Sequence, residues 1–319
     1  MTKLLEFIKK LPKKGTPESI YFGEGRAAYF AADIFIRQND KDYCVDLKLP
    51  ADKWLALRNF KKIDKIAFSA NALTVNELQS FEGTAEKLPE YLRLGITLQG
   101  QAVNAQDFKH LANFMSDEGC RPYLCGVYYD SEKQALVATN GHILYKLDTA
   151  LIFSESFIIP AELVKILASG KKERYKLEYY AGYVYVYNDD FVYRMRAVDG
   201  RFPDYSRVIP KTEGTIQVIK SGALYKKLLE LPRTRRTEIT WEGKNGRLVY
   251  YINTEGVKSA EQSFDFAGVS PLSKYNLNYI LRGLEPFRDC EEIEVFAENG
   301  KSPLKFTSGG QIVCVMPIA

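Results

Sequence analysis

The residues with the clearest capacity for chemistry lie in the segment Thr139-Asn-Gly-His142. An imidazole can act as a general acid or base near neutral pH when a carboxylate orients it, and Asp199 and Asp204 are the candidate carboxylates. The corresponding activity would be that of a nuclease or a phosphatase. A lone histidine in a turn more often has a structural role, so we expect that the protein is not an enzyme.

Other patterns that carry chemistry are missing from the sequence. It contains no P-loop, no GxSxG segment and no HExxH segment, so no phosphate cradle, nucleophile elbow or zinc site is indicated. Only two histidines accompany the five cysteines, and no two cysteines form a CxxC pair. We expect no metal and no other cofactor. The cysteines are interpreted as reduced packing residues: Cys44, Cys120, Cys125, Cys290 and Cys314.

The composition is that of a folded protein with nearly balanced charge. Apolar residues make up 46% of the 319 residues, and this length predicts two or three domains. The net charge of +4 indicates nucleic-acid binding only if the positive charge is concentrated on one surface. No apolar stretch approaches about 18 residues and the first residues lack a signal-peptide pattern. We therefore expect a cytoplasmic protein with no membrane partner.

Three segments share one design, in which a strand ends in a proline and an amphipathic helix follows. Strand and helix are predicted at residues 45–50 and 51–60, at 157–160 and 161–170, and at 266–271 and 272–284. The prolines are 110 and 111 residues apart. Proline suits the first helical turn, because its missing N–H would be unpaired there anyway. The near-constant spacing indicates a threefold repeat.

Each repeat also has an earlier helix and several strands. The earlier helices are predicted at residues 2–10, 104–115 and 222–231. Strands rich in Tyr, Val and Ile are predicted at residues 122–130, 134–140, 174–189, 247–256 and 291–300, and before two of the helices at 96–99 and 215–219. The class is α+β, with helices on one face of antiparallel sheets. The predicted domains are residues 1–92, which lack the first strand and are shortened, 93–211 and 212–319.

Four segments are similar to motifs of the bacterial β sliding clamp family, the β subunits of DNA polymerase III. Residues 137–144 (VATNGHIL) resemble the motif ATDGHRL, and residues 199–210 (DGRFPDYSRVIP) resemble GRFPDYRRVLP. Residues 121–126 (RPYLCG) resemble RPYLxG, and residues 315–319 (VMPIA) resemble VMPMRL. The similarity is strongest over residues 96–211, weaker at the C-terminal end and faint over residues 1–92.

The resemblance implies a homodimer in which six DNA-clamp domains form a ring around double-stranded DNA. Such a ring would slide as a processivity factor, because attraction to phosphates is independent of sequence. Short peptide motifs of a DNA polymerase and of a clamp loader would bind to it. The alternative left open is a clamp-fold interaction scaffold that does not encircle DNA, because the first domain is short.

The resemblance directs the basic residues of the helices toward DNA and places the loop with Arg121 and Tyr123 inside the hole. An arginine can hold a phosphate with two hydrogen bonds, and a tyrosine can lie against sugars or bases. The alternatives are an ordinary solvated helix face and, for Tyr123, a buried aromatic residue at a strand end. The further candidate DNA-binding residues are Lys109, Lys165, Lys226, Lys227, Arg233, Arg236, Lys274 and Arg282.

In the family, partner peptides bind in a cleft between the second and third domains. Apolar side chains would form its floor, methionine would adapt to different partners, and a few polar groups would orient the peptide. Transferred residue by residue, the predicted cleft residues are Leu124, Thr139, Gly141, His142, Ile143, Leu144, Pro203, Arg207, Val208, Val315, Met316, Pro317 and Ile318.

The sequence departs from the family pattern at three places near this cleft. Asn140 stands where the family has Asp, and Ile143 stands where it has Arg. The chain ends at Ala319 without the usual Arg-Leu. These changes make the predicted cleft more apolar and leave its peptide preference open. They indicate a divergent clamp, for which a phage or a mobile element would be a fitting source.

Overall fold

The computed structural model describes residues 3–11, 18–31, 34–89, 97–169, 174–211, 217–235, 237–244, 247–254, 257–265 and 270–318. The chain divides into two compact units. The first unit comprises Met1–Ala105 and Gly170–Ala197, and the second comprises Gln106–Ser169 and Val198–Ala319.

The described residues form six α-helices and 23 strands. The helices are α1 Lys3–Lys10, α2 Ala51–Leu57, α3 Ala105–Ala112, α4 Ala161–Ser169, α5 Ser221–Leu229 and α6 Leu277–Leu284. The strands up to residue 139 are β1 Ile20–Gly23, β2 Arg26–Ala31, β3 Ile34–Asn39, β4 Leu47–Leu49, β5 Ile66–Ser69, β6 Ala72–Val75, β7 Gln79–Glu82, β8 Gln101–Ala102, β9 Gly126–Asp130 and β10 Ala135–Thr139. The strands after it are β11 Ile143–Asp148, β12 Phe157–Pro160, β13 Lys176–Tyr180, β14 Tyr183–Tyr187, β15 Phe191–Arg196, β16 Gln217–Ile219, β17 Glu238–Lys244, β18 Arg247–Thr254, β19 Val257–Asp265, β20 Ser270–Asn276, β21 Ile293–Phe296, β22 Leu304–Ser308 and β23 Gln311–Val315. None of the described helices combines the length and the apolar character needed to cross a membrane.

The first unit is built on an eight-stranded antiparallel sheet with the order β4-β1-β2-β3-β15-β14-β13-β8. A smaller sheet has the order β5-β6-β7. Helix α1 packs on α2 and buries Leu4, Phe7 and Ile8, as apolar residues three and four positions apart require. Trp54 of α2 is fully buried, and its indole Nε1 donates a hydrogen bond to the carbonyl oxygen of Glu18 at 2.7 Å.

The second unit repeats this design with the eight-stranded sheet β12-β9-β10-β11-β23-β22-β21-β16 and the four-stranded sheet β19-β18-β17-β20. Helices α5 and α6 pack together, and α6 also lies on β23. A Cβ atom at Gly283 would lie only 3.1 Å from Cγ2 of Val315, so the glycine allows this close approach.

The predicted fold class is confirmed, because the described chain combines antiparallel sheets with a few helices, of which α1 packs on α2 and α5 packs on α6. Among the described residues, each of the stretches 1–92, 93–211 and 212–319 contains two helices and seven or eight strands. The domain boundaries themselves stay a prediction. The compact units divide the chain elsewhere, because each eight-stranded sheet combines strands of two consecutive stretches.

The third strand-proline-helix segment differs from its prediction. Pro271 lies inside β20, and α6 begins at Leu277, where the side chain of Asn276 accepts a hydrogen bond from the Asn278 amide. β20 is an edge strand with an irregular register between Trp241 and Gly243 of its neighbour, and a proline without N–H is tolerated at such a place. Helix propensity at residues 272–276 is overridden by this strand pairing.

Two strand predictions also need correction. Residues 97–99 carry no strand, and the short strand β8 begins at Gln101, while Ile96 lies outside the described residues. The first part of the predicted strand 122–130 is a 3-10 turn, Pro122–Leu124, because proline favours a turn and cannot donate to a sheet. Residues 215 and 216 of the predicted strand 215–219 lie outside the described residues.

The thiols and the potential metal ligands are scattered. All five cysteines are free, and Cys314 is buried as predicted, but Cys44 and Cys120 are exposed. The prediction that they are packing residues is therefore wrong for Cys44 and Cys120, because neither lies on the apolar face of a strand or helix. Within the described ranges, no three His, Cys, Asp or Glu side chains are placed to hold a metal ion.

His110 of α3 should make stability depend on pH. Burial lowers its pKa from the ordinary value of 6.5, Lys109 and Arg288 act in the same direction, and Glu285 and Asp289 oppose them. Its Nδ1 is buried without a partner among the described residues, and its Nε2 lies 2.9 Å from Nε2 of Gln106.

As the pH falls, His110 takes up a proton at a higher pH in the unfolded state than in the folded state. The contribution of the neutral, buried His110 to the free energy of unfolding is therefore complete above pH 6.5 and decreases below it. Urea denaturation between pH 7.5 and pH 5 should show the decrease in the wild type and a smaller one in His110→Gln. Equal decreases in the two proteins would show that His110 does not cause the pH dependence of stability.

Candidate functional site

One cleft in the second unit brings most of the predicted peptide-binding residues together. Its volume is about 250 Å³, and it lies between the β10–β11 turn, the turn Pro122–Leu124, the segment 202–208 and the end of β23. Its lining residues are Arg121, Tyr123, Leu124, Thr139, Gly141, His142, Ile143, Leu144, Phe202, Pro203, Asp204, Tyr205, Val208, Cys314 and Met316.

The β10–β11 turn is shaped by its own sequence. Gly141 has a φ of +91°, a backbone conformation that side chains with a Cβ rarely adopt. Oδ1 of Asn140 accepts hydrogen bonds from the amides of His142 and Ile143, both at 3.0 Å. The Thr139 hydroxyl donates to the carbonyl oxygen of Ile143 at 2.7 Å. Asn140 thus supplies the acceptor that an aspartate would supply, so this departure from the family pattern keeps the turn.

The turn that carries Arg121 and Tyr123 forms one rim of the cleft. The Arg121 guanidinium is ion-paired with Glu118, and its Nη1 would lie 3.1 Å from a Cβ atom at Gly141. Tyr123 packs on Gly200, whose φ is +128°, since a Cβ there would lie 3.3 Å from that of Tyr123. Tyr123 is half-buried in a turn, so the alternative of a buried residue at a strand end is wrong.

The opposite wall consists of two buried aromatic rings. Phe202 stacks on Tyr128 with ring centroids 4.6 Å apart and an angle of 6° between the rings. The Tyr205 hydroxyl donates a hydrogen bond to Oδ2 of Asp130 at 2.7 Å. Burial and this carboxylate raise the pKa of Tyr205, so the phenol stays neutral and keeps its proton on the bond. The wall is therefore held in place by a buried acceptor.

The floor of the cleft is apolar and uncharged. Leu124, Leu144 and Cys314 belong to one buried cluster with Phe202 and Tyr205. Burial raises the pKa of the Cys314 thiol to about 12, so the thiol stays protonated at neutral pH. Such a floor accepts aliphatic or aromatic side chains, and the few polar groups at the rim can orient a bound chain.

Nine of the thirteen predicted cleft residues line this cleft: Leu124, Thr139, Gly141, His142, Ile143, Leu144, Pro203, Val208 and Met316. Sequence reasoning did not include Phe202, Asp204, Tyr205 and Cys314, although the first three lie in the segment 199–210 that carried the resemblance. Their proximity to the predicted residues in the sequence was the available signal. Arg121 and Tyr123, predicted to contact DNA, line the same cleft.

Four predicted cleft residues, Arg207, Val315, Pro317 and Ile318, do not line the cleft. Arg207 is 84% exposed and ion-paired with Asp204 at 3.1 Å. Val315 is buried on the α6 side of β23, because consecutive strand residues point to opposite faces and Cys314 takes the cleft face. The Ile318 amide donates to the carbonyl oxygen of Lys274 at 2.8 Å, and its side chain is exposed.

The predicted DNA-binding residues on helices are accessible. Lys109 of α3, Lys165 of α4 and Lys226 and Lys227 of α5 are exposed. Arg282 of α6 is half-buried, with its guanidinium 6.0 Å from the Tyr279 ring centroid.

The other three predicted DNA-binding residues lie off the helices or outside the described part of the chain. Arg233 follows α5 and donates to the carbonyl oxygen of Leu229 at 3.3 Å. Lys274 lies on strand β20 and not on the predicted helix, and Arg236 lies outside the described residues.

The catalytic interpretation of His142 gains no geometric support. The imidazole stacks on the Tyr279 ring with centroids 5.4 Å apart. Asp204 accepts hydrogen bonds from Arg207 and from the amide of Ser206. Among the described residues, no hydrogen bond joins the His142 ring to Asp199 or Asp204, so no carboxylate orients it for proton transfer.

The chain is similar to bacterial β sliding clamps in sequence. The β sliding clamp of Proteus mirabilis is 27% identical over 223 residues, which cover 64% of this chain and 60% of that protein. The protein of Escherichia coli strain K12 is 26% identical over the same shares. The aligned part thus spans about 60% of the length of these curated relatives. No family model matches the chain.

The fold is similar to solved clamp structures over nearly the whole chain. The DNA polymerase III β subunit of Pseudomonas aeruginosa matches with a TM-score of 0.78 at 18% identity, covering 99% of this chain and 97% of that one. The β subunit of Thermotoga maritima matches with a TM-score of 0.77 at 18% identity, covering 99% and 96%. The architecture is therefore that of the DNA clamps. The similarity in sequence and in fold supports the resemblance of its motifs to those of the bacterial β sliding clamps.

Proposed function

We propose that this protein is a DNA sliding clamp that encircles duplex DNA and tethers a replicative polymerase and a clamp loader through the apolar cleft. The observation that carries the proposal is this cleft, which the family-like motifs build on a clamp fold. The relatives named above are β sliding clamps, and a solved clamp of Bartonella birtlesii is bound to griselimycin. A clamp acts where DNA is replicated, so the proposal includes a cytoplasmic location and no cofactor.

The sheets of the chain support closure by a second copy. Each eight-stranded sheet joins two halves, β4-β1-β2-β3 to β15-β14-β13-β8 and β12-β9-β10-β11 to β23-β22-β21-β16. At both junctions, the third strand of one half pairs with the last strand of the other: β3 with β15 and β11 with β23.

Two halves, β20-β17-β18-β19 and β7-β6-β5, have no such partner among the described strands. By the same rule, β19 of one copy would pair with β7 of another. A head-to-tail contact of this kind forms a ring when its rotation closes.

The free edge of β7 has the groups that this pairing needs. The Gly83 amide donates to the carbonyl oxygen of Asn71 at 2.8 Å, which marks this opposed pair as hydrogen-bonded. Hydrogen-bonded pairs alternate along an antiparallel ladder, so the N–H and C=O groups of Ser80 and Glu82 point away from β6. An added strand would satisfy them.

The proposed DNA contact predicts a steep dependence on salt. Affinity for linear duplex DNA should be weak, independent of sequence, and lower at higher salt, because each phosphate contact contributes about 0.9 to the slope of log affinity against log salt concentration. Replacing Lys165 and Lys226 together by Glu should reduce the magnitude of that slope by the equivalent of about two phosphate contacts. Anisotropy titrations with a labelled duplex would measure it.

The matched control changes the same charge away from the helices. Lys176 on β13 and Lys301 in the turn after β21 are exposed, and their double replacement by Glu should leave the slope near the wild-type value. Equal loss in both double variants would show that net charge alone governs binding. Insensitivity of the wild type to salt would contradict the proposed phosphate contact.

A further inference from the structure

A polar cleft adjoins the apolar cleft in the second unit. It has a volume of about 580 Å³. Phe202, Pro203, Asp204 and Tyr205 line both clefts. A peptide that leaves the apolar cleft over Tyr205 therefore enters the polar cleft without crossing another element.

The wall between the two clefts is fixed from the polar side. Besides the Tyr205 hydroxyl, Asp130 accepts the amides of Glu132 and Lys133 on its Oδ1, both at 3.0 Å. Nζ of Lys133 lies 4.7 Å from the Tyr205 ring centroid and bonds to the Ser206 hydroxyl. These bonds hold the wall in place, so a peptide bound in the apolar cleft has a fixed position relative to the polar cleft.

The accessible charges of the polar cleft are unequal. Asp130 is only 7% exposed and has three hydrogen bonds, and Asp204 is ion-paired with Arg207. Lys133, Arg201 and Glu132 are the remaining exposed charged groups at the mouth, two cations beside one carboxylate, whereas Asp130 keeps its negative charge beneath them. Arg201 is exposed and has no ion-pair partner among the described residues.

We propose that the polar cleft receives acidic residues that flank the apolar anchor of a partner peptide, and that Arg201 selects them. This proposal rests on the proposed function of the apolar cleft. A guanidinium group binds a carboxylate with two parallel hydrogen bonds, and Lys133 adds charge on the same side. Because the pair is exposed to solvent, the expected preference is about fivefold and decreases with salt.

Synthetic fluorescein-labelled peptides with the anchor Leu-Phe test this proposal, because the apolar cleft offers an aliphatic floor and an aromatic wall. One peptide has the anchor alone. Two others add Gly-Asp-Asp or Gly-Lys-Lys after it, and a second pair adds the same charges before it, which also determines the peptide direction. Affinities for the full chain are measured by fluorescence anisotropy at low and high salt.

The wild type should bind the Asp peptide of one pair about five times more tightly than the Lys peptide. Arg201→Glu should reverse that preference and leave the affinity for the anchor peptide unchanged. Lys211→Glu is the matched control, because Lys211 is exposed in the adjoining segment and lines neither cleft.

Equal binding of Asp and Lys peptides by the wild type, or an equal change in Lys211→Glu, would overturn the role of Arg201. Binding of the anchor peptide would then still support the apolar cleft as the partner site. If the anchor peptide itself fails to bind, both this proposal and the proposed peptide-binding function are overturned.

Discussion

Replacement of Met316 is expected to weaken binding of the Leu-Phe peptide more than any other single change at the C-terminal tail. Met316 lines the apolar cleft, and its amide donates to the carbonyl oxygen of His142 at 2.9 Å. Met316→Ala removes apolar contact area worth roughly 1.4 kcal/mol, which is about tenfold in the dissociation constant. Met316→Asp should weaken binding at least about a hundredfold, because the peptide would bury an unpaired carboxylate.

Ile318→Ala is the matched control for Met316. The two residues belong to the same tail, but Ile318 is 39% exposed and does not line the cleft. Anisotropy titrations should therefore give a wild-type dissociation constant for Ile318→Ala. Light scattering should give the wild-type mass for all three variants, since none of the changes touches a strand edge. If Met316→Asp retained full affinity, the apolar cleft would not be the peptide site.

Ser80→Pro is expected to raise the dissociation constant of the proposed homodimer by about a hundredfold. The substitution removes the N–H that points to the free edge of β7 and leaves an acceptor of the added strand unpaired, at a cost on the order of 3 kcal/mol. Light scattering on a dilution series measures the midpoint between a mass near 36.3 kDa and twice that mass.

Ser80→Ala is the control, because it keeps the edge N–H and loses only the 3.3 Å contact between the hydroxyls of Ser80 and Thr74. It should dimerise like the wild type, and thermal unfolding should show both variants folded. A wild-type monomer at micromolar concentration would favour the scaffold alternative. A dimer that is equally stable with Ser80→Pro would mean that β7 does not form the contact.

Local chemistry explains how much of the site could be predicted from the sequence. The turn at Thr139–Ile143 depends on a glycine with positive φ and on an Asn side chain that binds the next amides. Both requirements are visible in the sequence TNGHI. The resemblance to the clamp family also predicted that residues far apart in the chain would meet, and Leu124, Val208 and Met316 line one cleft.

Other features depended on partners that are distant in the sequence. Helix α6 begins at Leu277 and not at the predicted residue 272, because the preceding residues form β20, which pairs with β17. No local pattern in the sequence encodes that pairing. The side chain of Val315 points to α6 because β23 lies between β11 and β22 with one fixed face toward the helix. A shift of one residue along a strand exchanges its two faces, so the sequence predicted the strand but not which side chain reached the cleft.

The sequence by itself determined the α+β class, the two helices in each repeat, the tight turns and the resemblance to β sliding clamps, since these follow from periodicity, turn chemistry and motifs. Only the tertiary structure decided the sheet pairings β3–β15 and β11–β23, the aromatic wall of Phe202 and Tyr205, and the polar cleft behind it. The physical reason is that a cleft is formed by packing between segments up to about two hundred residues apart. Sequence patterns report the preferences of each segment, whereas packing decides which faces of those segments meet.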